Sequence, residues 1–225
     1  MNYFEIFKQL SIIKTLWFNL YYFGLGTLIK NGPYCFIAKN VKISCMKGQV
    51  IVRNPKKHRI RLGFAFDISY FDRRYERFIW HNTGTIVFNG HGQIYLGCRI
   101  ENLGYLEFGE NIECTASTTF ICHKKIVIGD NCGISWKVLV MDTDYHSITD
   151  ENGTVINKND AIIINDEVWI SCNVIILKGT EINSQSIVAA GSILSGKKFT
   201  EQNIIIGGTG KILKRNIFWN PEGPN

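Results

Sequence analysis

The sequence lacks the cysteine pattern of a disulfide framework or a zinc knuckle. Its 225 residues contain seven cysteines, an odd number with no pair at CxxC spacing. Disulfide-rich secreted domains and structural zinc sites both depend on regularly spaced cysteine pairs. Several of the seven fall at small-residue positions of the repeat described below. We therefore expect free, buried thiols in a reducing compartment, which favours a cytoplasmic location.

The N-terminus lacks a secretory signal, because no basic segment is followed there by an apolar run and a small-residue cleavage site. Residues 10–29 are mostly apolar, but Lys14 and Asn19 would both lie in hydrocarbon if this segment crossed a membrane. We predict a helix packed on the domain, with peripheral membrane association as a second interpretation, in which residues 1–29 contact the inner membrane from the cytoplasmic side.

Long blocks of basic residues are also missing. Lys and Arg number 25 against 19 Asp and Glu, and the resulting net charge of +6 suits anionic partners. Basic residues recur only in short groups, at 56–61, at 73–74, and at Lys211, Lys214 and Arg215. Because no segment interleaves basic and aromatic residues in a recognisable motif, we expect no nucleic-acid partner.

What the sequence does contain is an internal repeat of six residues. Aliphatic residues recur without interruption at Ile164, Ile170, Ile176, Ile182, Val188 and Leu194. An amphipathic helix has an apolar period of 3.6 residues and a β-strand one of 2, so neither maintains a period of six over this length. The chain must turn a corner in each unit, which is typical of a β-solenoid.

The repeat extends upstream and is interrupted once. The same spacing appears at Ile94, Ile100, Leu106 and Ile112, then in a new phase at Ile128, Ile134 and Val140, with Gly, Asn and Asp at the predicted corners. Polar residues replace the repeat at 142–160, which predicts a protruding loop, the usual place for function on a solenoid. The predicted organisation is a helical and irregular capping region at 1–80, a β-helix at 81–217, and a tail at 218–225.

Five short motifs strengthen this interpretation: Ile128-Gly129-Asp130-Asn131-Cys132, Met141-Asp142-Thr143-Asp144-Tyr145-His146, Asp166-Glu167-Val168-Trp169-Ile170, Ile176-Leu177-Lys178-Gly179 and Ala189-Ala190-Gly191-Ser192. With them, residues 85–217 resemble the bacterial hexapeptide-repeat O-acetyltransferases of the maltose, galactoside and lipopolysaccharide or capsule type. The resemblance implies an all-β, left-handed parallel β-helix with about 18 residues per three-sided coil. It also implies a homotrimer with active sites between subunits, and acetyl-CoA as the acyl donor.

The same resemblance makes His146 the catalytic base. An imidazole with a pKa near neutrality suits removal of a proton from an attacking hydroxyl. Asp144 or Asp142 would orient the ring, although either could equally be a turn-forming aspartate. Direct attack by the hydroxyl needs no enzyme nucleophile, so none of the cysteines is assigned that role.

Trp169 matches the aromatic wall beside the family's acceptor pocket, and Trp136 is a weaker second candidate. The positions where small-sugar members carry acceptor-binding Asn and Asp fall near Cys114 and Cys122 or His123. His123 is therefore included among the substrate-binding candidates, and a glycan other than galactoside or maltose is implied as the acceptor.

Several residues match the family's coenzyme A contacts. Small residues that would let the pantetheine arm approach are Ser171, Ala189, Ala190 and Gly191, and Lys178 matches a family lysine. Lys211, Lys214 and Arg215 resemble the basic tail near the adenosine phosphates. The family's late Gly-Asn-Pro-Ala turn is replaced by Gly207-Gly208-Thr209-Gly210, which departs from the pattern.

We therefore predict an acetyl-CoA-dependent O-acetyltransferase that acts on a sugar hydroxyl of a bacterial surface polysaccharide, a lipopolysaccharide or a precursor of either. Alternatives are an N-acetyltransferase for a nucleotide-linked amino sugar and a non-catalytic β-solenoid scaffold. A metal hydrolase similar to the γ-class carbonic anhydrases would need three converging histidines. His81, His91, His123 and His146 include no close pair, so no metal is expected.

Overall fold

A computed structural model describes residues 3–54, 59–65 and 76–220. The basic residues at 56–58 and 73–74 lie outside the described residues. Two helices come first, α1 (Tyr3–Gln9) and α2 (Ile12–Asn31), and α2 is kinked at Gly24, where φ is 77°. In the described ranges after α2, the chain forms strands, corners and one long loop. None of the helices in the described ranges is both long and apolar enough to cross a membrane.

The strands are short and follow one another closely along the chain. In the described ranges they are β1 (Cys35–Ile37), β2 (Lys42–Cys45), β3 (Gln49–Val52), β4 (Ile60–Leu62), β5 (Ile79–Asn82), β6 (Thr85–Phe88), β7 (Gly92–Ile94), β8 (Arg99–Asn102), β9 (Tyr105–Phe108), β10 (Ile112–Cys114), β11 (Thr119–Cys122), β12 (Lys125–Ile128), β13 (Gly133–Ile134), β14 (Leu139–Met141), β15 (Ile162–Ile164), β16 (Trp169–Ile170), β17 (Ile175–Leu177), β18 (Glu181–Ile182), β19 (Ile187–Val188), β20 (Ile193–Leu194), β21 (Lys198–Phe199), β22 (Ile204–Gly207) and β23 (Lys211–Arg215).

These strands form the three faces of a parallel β-helix. Sheet 1 has the order β1-β4-β7-β10-β13-β16-β19-β22-β23, sheet 2 the order β2-β5-β8-β11-β14-β17-β20, and sheet 3 the order β3-β6-β9-β12-β15-β18-β21. Within a face, each strand up to β19 pairs with the strand three places further along the chain, so each coil contributes one strand to each face. We call the turns from sheet 1 to sheet 2 the first corner, from sheet 2 to sheet 3 the second corner, and from sheet 3 to sheet 1 the third corner.

The interior is filled by columns of aliphatic and aromatic side chains. The six downstream repeat residues, at 164, 170, 176, 182, 188 and 194, are all completely buried, as the sequence predicts. Further up the coils, Phe88 stacks on Phe108 with ring centroids 5.2 Å apart, and Phe108 meets Phe120 edge-on at 5.3 Å. Burying each such side chain contributes about 2 kcal/mol of hydrophobic stabilisation, so the column is the main source of stability.

The coils have two different lengths. Upstream, Ile79 pairs with Arg99 and Arg99 with Thr119, which is 20 residues per coil. Downstream, Trp169 pairs with Ile187 and Ile175 with Ile193, which is 18 residues per coil. The length of about 18 residues that the family resemblance implies therefore holds only after the long loop.

The two additional residues give each upstream sheet 2 strand a third inward position. Asn82, Asn102 and Cys122 occupy this position in successive coils, and Asp142 directly follows β14 in the next coil. All four residues are fully buried. Asn102 donates to Asn82 at 2.8 Å, while Asn82 donates to the carbonyl of Gln49. The second corner is tight beside this column, because a Cβ on Gly104 would lie 2.5 Å from the carbonyl oxygen of Lys124. We call these four residues the second-corner column.

Strand pairing begins well before residue 81, the boundary expected from the repeat. β1, β2 and β3 already occupy the three faces, and β1 pairs in register with β4. In the sequence, seven residues separate β3 from β4 and sixteen separate β4 from β5, and these longer intervals displace the six-residue spacing. At the opposite end β23 returns antiparallel to β22 and covers the edge of sheet 1.

Helix α2 closes the first coil with polar side chains. Asn19 accepts from the backbone N–H groups of Tyr34 and Cys35 at 2.7 and 3.0 Å, and donates to the carbonyl of Cys35 at 2.6 Å. Thr15 accepts from the N–H of Ile37 at 3.0 Å. Two buried side chains thus satisfy the outer edge of β1 in the way that another strand would. This packing confirms a helix on the domain over the predicted segment.

Candidate active site

The predicted loop at 142–160 leaves the second corner after β14 and returns before β15. The side chain of Asn157, in the returning half of the loop, reaches across to the outgoing half. Its amide nitrogen donates to Asp144 Oδ2 and to the carbonyl oxygen of His146, both at 2.8 Å. Its amide oxygen accepts from the N–H of Ile148 at 2.6 Å. The backbone on both sides of His146 is therefore fixed by one side chain from the returning part of the loop.

Lys178 fastens this loop to the next coil. Its ammonium group contacts Asp144 Oδ2 closely and donates to the carbonyl of Asn157 at 2.8 Å. The hydrogen bond from Lys178, followed by that from Asn157, lowers the pKa of Asp144 below its ordinary value. The structure therefore places Lys178 at the second corner under the loop, and not beside Ser171 and Ala189 at the first corner.

Asp142 holds the base of the loop. It is completely buried, and its carboxylate accepts three backbone hydrogen bonds, from His123 to Oδ1 at 2.7 Å and from Lys124 and Lys125 to Oδ2 at 2.8 and 2.7 Å. Three donors around one carboxylate tie three consecutive corner residues together. In this chain Asp142 supports the second corner and makes no hydrogen bond to His146.

His146 presents its ring to solvent. Within the described part of the chain no hydrogen-bond partner reaches the imidazole; the residue is held through its backbone, whose N–H donates to the carbonyl of Asp144 at 2.6 Å. Tyr145, just before it, has φ of 59°, a left-handed conformation that costs free energy for a bulky side chain. The contact of Asp144 with His146 is through the main chain alone.

A second histidine lies beside this turn. His123 Nε2 is 3.2 Å from Glu101 Oε1, and the Tyr145 hydroxyl donates to the same oxygen at 2.7 Å. The rings of His123 and Tyr145 meet edge-on with centroids 4.9 Å apart. Partial burial raises the pKa of Glu101, but the hydrogen bonds from Tyr145 and His123 outweigh it, and the pKa lies below its usual value. Burial and the Glu101 carboxylate raise the pKa of Tyr145 to about 12.

The small residues predicted to face the donor gather at the first corner in successive coils. The N–H of Ser171 donates to the carbonyl of Val188, and the N–H of Gly191 donates to that of Cys172. Ala190 and Gly191 are exposed, and nothing lies within 4 Å of the position that a Cβ on Gly191 would take. The corner is therefore open at Ala190 and Gly191. Trp136 occupies the same corner one coil earlier.

Trp169 lies on sheet 1 and lines a groove of about 1020 Å³. Its indole N–H donates to Ser135 Oγ at 3.2 Å, and its ring is tilted against Trp219 with centroids 6.0 Å apart. Trp219 is itself held by a hydrogen bond to the carbonyl of Glu167 at 2.7 Å. Aromatic walls with polar groups at their edges suit sugar rings. The sequence does not reveal Trp219 as a member of this groove, because it follows the repeat.

The basic residues near the end of the chain lie on β23. Lys211, Lys214 and Arg215 are all exposed, but Arg215 makes two hydrogen bonds to the Glu201 carboxylate, at 2.6 and 3.0 Å. The lysines therefore carry the available positive charge of this strand.

In the described ranges, no group of three or more His, Cys, Asp or Glu side chains is arranged to hold a metal ion.

The predicted site residues thus lie at separate places in one chain. His146, Asp144, Asp142, His123 and Lys178 meet at the second corner. Trp136, Ser171 and 189–191 share the first corner, and Trp169 projects from sheet 1. The sequence does not identify Asn157, Glu101 and Tyr145 as neighbours of His146 at the second corner, since none of them belongs to the six-residue pattern.

Comparison with known proteins supports the same family. No family model matches the chain. A lipopolysaccharide biosynthesis O-acetyl transferase, so named in Escherichia coli K12, is 26% identical over 147 residues, which is 60% of this chain and 74% of that protein. The polysialic acid O-acetyltransferase of Neisseria meningitidis is 35% identical over 137 residues, 56% of this chain and 64% of that protein.

Two further comparisons agree. The galactoside O-acetyltransferase of Lactococcus lactis is 28% identical over 115 residues, 50% of this chain and 53% of that protein, so the chain covers about half to three quarters of these relatives. The crystal structure of a polySia-specific acetyltransferase superposes with a TM-score of 0.53 at 22% identity, covering 83% of this chain and 78% of that one. That likeness supports the left-handed parallel β-helix. In its repeat, its fold and its relatives, the chain resembles the acyltransferases of the hexapeptide-repeat O-acetyltransferase family.

Proposed function

We propose that the protein transfers an acetyl group from acetyl-CoA to a sugar hydroxyl of a bacterial surface polysaccharide, a lipopolysaccharide or a precursor of either, with His146 as general base. One observation carries this proposal. His146 has an exposed imidazole on a backbone that Asn157 and Asp144 fix from both sides. A base must be accessible to its substrate and yet held in position, and this turn provides both properties.

The chemistry needs two proton transfers and one bond exchange. His146 removes the proton from the acceptor hydroxyl as the oxygen attacks the thioester carbonyl. The carbon–sulfur bond then breaks, and the imidazolium returns the proton to the departing sulfur, so that free thiol and sugar ester are the products. The negative charge on the carbonyl oxygen requires a hydrogen-bond donor, and backbone N–H groups at an open corner are of the right kind.

The donor would lie along the first corner. Ser171, Ala189, Ala190 and Gly191 leave the backbone accessible there, and the exposed Lys211 and Lys214 at the end of sheet 1 would attract the phosphates. A pantetheine arm can form hydrogen bonds with backbone amides that are not screened by large side chains. The cytoplasm would supply this donor, and it would also keep the seven free thiols reduced.

The active site would form between subunits of a homotrimer. In a single chain the loop carrying His146 leaves the second corner, while the proposed donor corner and Trp169 belong to other sides of the helix. A neighbouring copy would bring its first corner against the loop and complete the site. Asp144, committed to Lys178, would act by fixing the loop, and an orienting group for the ring would come from the partner.

The acceptor would be a glycan. The groove beside Trp169 and Trp219 is large enough for sugar rings and offers two aromatic surfaces. Two of the relatives are named for lipopolysaccharide biosynthesis and for polysialic acid, which supports a bacterial surface glycan as the acceptor.

The test offers acetyl-CoA with a panel of lipid-linked oligosaccharides, polysialic acid, simple sugars and nucleotide-linked amino sugars, and measures thiol release. We expect release that depends on a glycan hydroxyl and falls by about 10³-fold in His146→Ala. Ser147→Ala, an exposed neighbour in the same loop, is the matched control and should retain activity. Undiminished release in His146→Ala would remove this base, and preference for the amino sugar would reassign the acceptor.

A further inference from the structure

Helix α2 has its polarity inverted relative to an ordinary surface helix. Its inner face carries the polar residues Thr15 and Asn19, whose side chains bind the backbone of β1, together with Phe18. Its outer face carries no polar residue between 12 and 21. We call this outer face the apolar face, defined by Ile12, Ile13, Leu16, Trp17, Leu20 and Tyr21.

These six side chains are between 46% and 82% exposed. At 100° per residue they cover one continuous half of the helix surface, while 15, 18, 19 and 22 cover the other. Scattered exposed apolar residues are normal, but a contiguous helical face of this kind marks an interaction surface. The aromatic residues Trp17 and Tyr21 are of the type that prefers a membrane interface.

The chain around this face carries an excess of positive charge, although Lys8 pairs with Glu5 at 3.0 Å. Between residues 6 and 66 there is no Asp or Glu, while eleven basic residues occur there: Lys8, Lys14, Lys30, Lys39, Lys42, Lys47, Arg53, Lys56, Lys57, Arg59 and Arg61. The remainder of the chain is net acidic, with 18 acidic and 14 basic residues from 67 onwards.

Several of these cations lie next to the helices. Lys8 and Lys30 lie on α1 and α2, and the N–H of Lys39 donates to the carbonyl of Gln9. Lys14 donates to two carbonyls of the first coil, and its pKa is lowered by partial burial and then by the nearby charge of Arg77. The region around the apolar face is therefore a concentrated positive field.

We propose that the apolar face of α2 lies in the interface of a membrane containing anionic lipid, with the flanking lysines against the headgroups. Insertion at the acyl boundary removes the aromatic and aliphatic side chains from water, which lowers the free energy of the bound protein. The basic residues beside them are attracted to the anionic headgroups. A symmetric contact between two copies would also cover the face, but it would bring two acid-free, basic regions together. Anionic lipid headgroups would neutralise the positive charge of this region, whereas a second copy would place an equal positive charge against it.

The experiment is vesicle flotation of the full chain, with neither acetyl-CoA nor acceptor present, so that its outcome is independent of catalysis. Vesicles of phosphatidylcholine alone are compared with vesicles containing about one third phosphatidylglycerol. We expect binding to the anionic vesicles only, weakened when salt rises from roughly 0.1 M to 0.5 M. Absence of binding to the anionic vesicles would overturn the proposal.

Leu16→Glu places a charge in the apolar face and should reduce binding at least about tenfold. Leu103→Glu is the matched control, since Leu103 is 47% exposed and Leu16 48%, and it should bind like the wild type. Equal loss in both variants, or none in Leu16→Glu, contradicts the assignment of the face. A fall in solution mass of Leu16→Glu with unchanged vesicle binding also contradicts it and indicates contact between copies.

A second readout does not depend on a charged variant. Lipids brominated on their acyl chains should quench Trp17, seen as a difference in quenching between the wild type and Trp17→Phe, which preserves the apolar face. Identical quenching in these two proteins would show that Trp17 remains in water.

Discussion

Replacing Asp142 by Asn separates a structural carboxylate from one that orients the base. The carboxylate accepts from His123 through Oδ1 and from Lys124 and Lys125 through Oδ2. The amide oxygen of an asparagine would keep the two lysine N–H groups, and its NH₂ would then face the N–H of His123. One charge-assisted hydrogen bond is lost, and two donors are placed against each other.

The expected cost follows from these contacts. A hydrogen bond to a charged group contributes about 1.5–3 kcal/mol, so Asp142→Asn should lose about 2–3 kcal/mol of stability. Asp142→Ala removes both acceptor oxygens and all three hydrogen bonds, and should lose roughly twice as much. For a chain of this size each kcal/mol lowers the melting temperature by about 2–4 °C. We therefore expect a decrease of about 5–10 °C for the asparagine variant.

The assay combines a thermal melt at fixed protein concentration with kcat/KM for acetyl transfer, measured well below the melting temperature. If Asp142 supports the second corner, the melt shifts and kcat/KM stays within about tenfold of the wild type. An aspartate that orients a catalytic histidine behaves differently, because its asparagine variant loses about 10⁴-fold in rate. An unchanged melt with a rate loss above about 100-fold would refute the structural role.

Three further predictions concern the second corner. Lys178→Met should lower kcat by about tenfold, with little change in the KM for acetyl-CoA, because it releases the loop; a raised KM alone would instead indicate a donor contact. Gly104→Ala should destabilise the fold by about 3 kcal/mol or more, measured by urea unfolding, because its Cβ would meet the Lys124 carbonyl at 2.5 Å. The lowered pKa of Asp144 means that its contact with Lys178 persists at pH above the ordinary Asp range and is lost only as pH falls through the lowered value. Proteolysis of the loop should therefore be equally slow at pH 7 and pH 5, and faster in Asp144→Asn at both; acceleration between pH 7 and pH 5 in the wild type would contradict this.

The downstream half of the fold is predictable because every inward position there is aliphatic and the step is constant. The residues from Ile164 to Leu194 lie in the core where the six-residue period places them. Upstream, the third inward position of each coil is filled by Asn82, Asn102, Cys122 and finally Asp142. A search for apolar periodicity does not detect such a column, since three of its four members are polar.

The spacing of that column was nevertheless present in the sequence. Asn82, Asn102, Cys122 and Asp142 are 20 residues apart, and Gly84 and Gly104 keep the same interval. A period of 20 would have assigned Asp142 to the corner and left Asp144 as the residue belonging to the loop. The motif alone could not distinguish these two aspartates, because both precede His146 in the same short segment.

The remaining features depend on contacts between distant parts of the chain. The hydrogen bonds from Asn157 to Asp144 and to the His146 carbonyl cross the loop. The hydrogen bond from Tyr145 to Glu101 joins the loop to an earlier coil. No local pattern specifies which loop residue will span the turn, since that depends on how the loop folds back. The resemblance to a family therefore identifies the histidine but not the groups that position it.

The amide of Asn19 and the hydroxyl of Thr15 have one further consequence. A solenoid exposes a strand edge at each end, and an uncovered edge can pair with the same edge of another molecule. Here two side chains occupy the hydrogen-bonding groups of β1 and prevent such pairing. Asn19→Leu, of similar size but unable to hydrogen-bond, would uncover this edge, and the protein would be expected to form end-to-end dimers but no filaments, because β23 still covers the opposite edge of sheet 1.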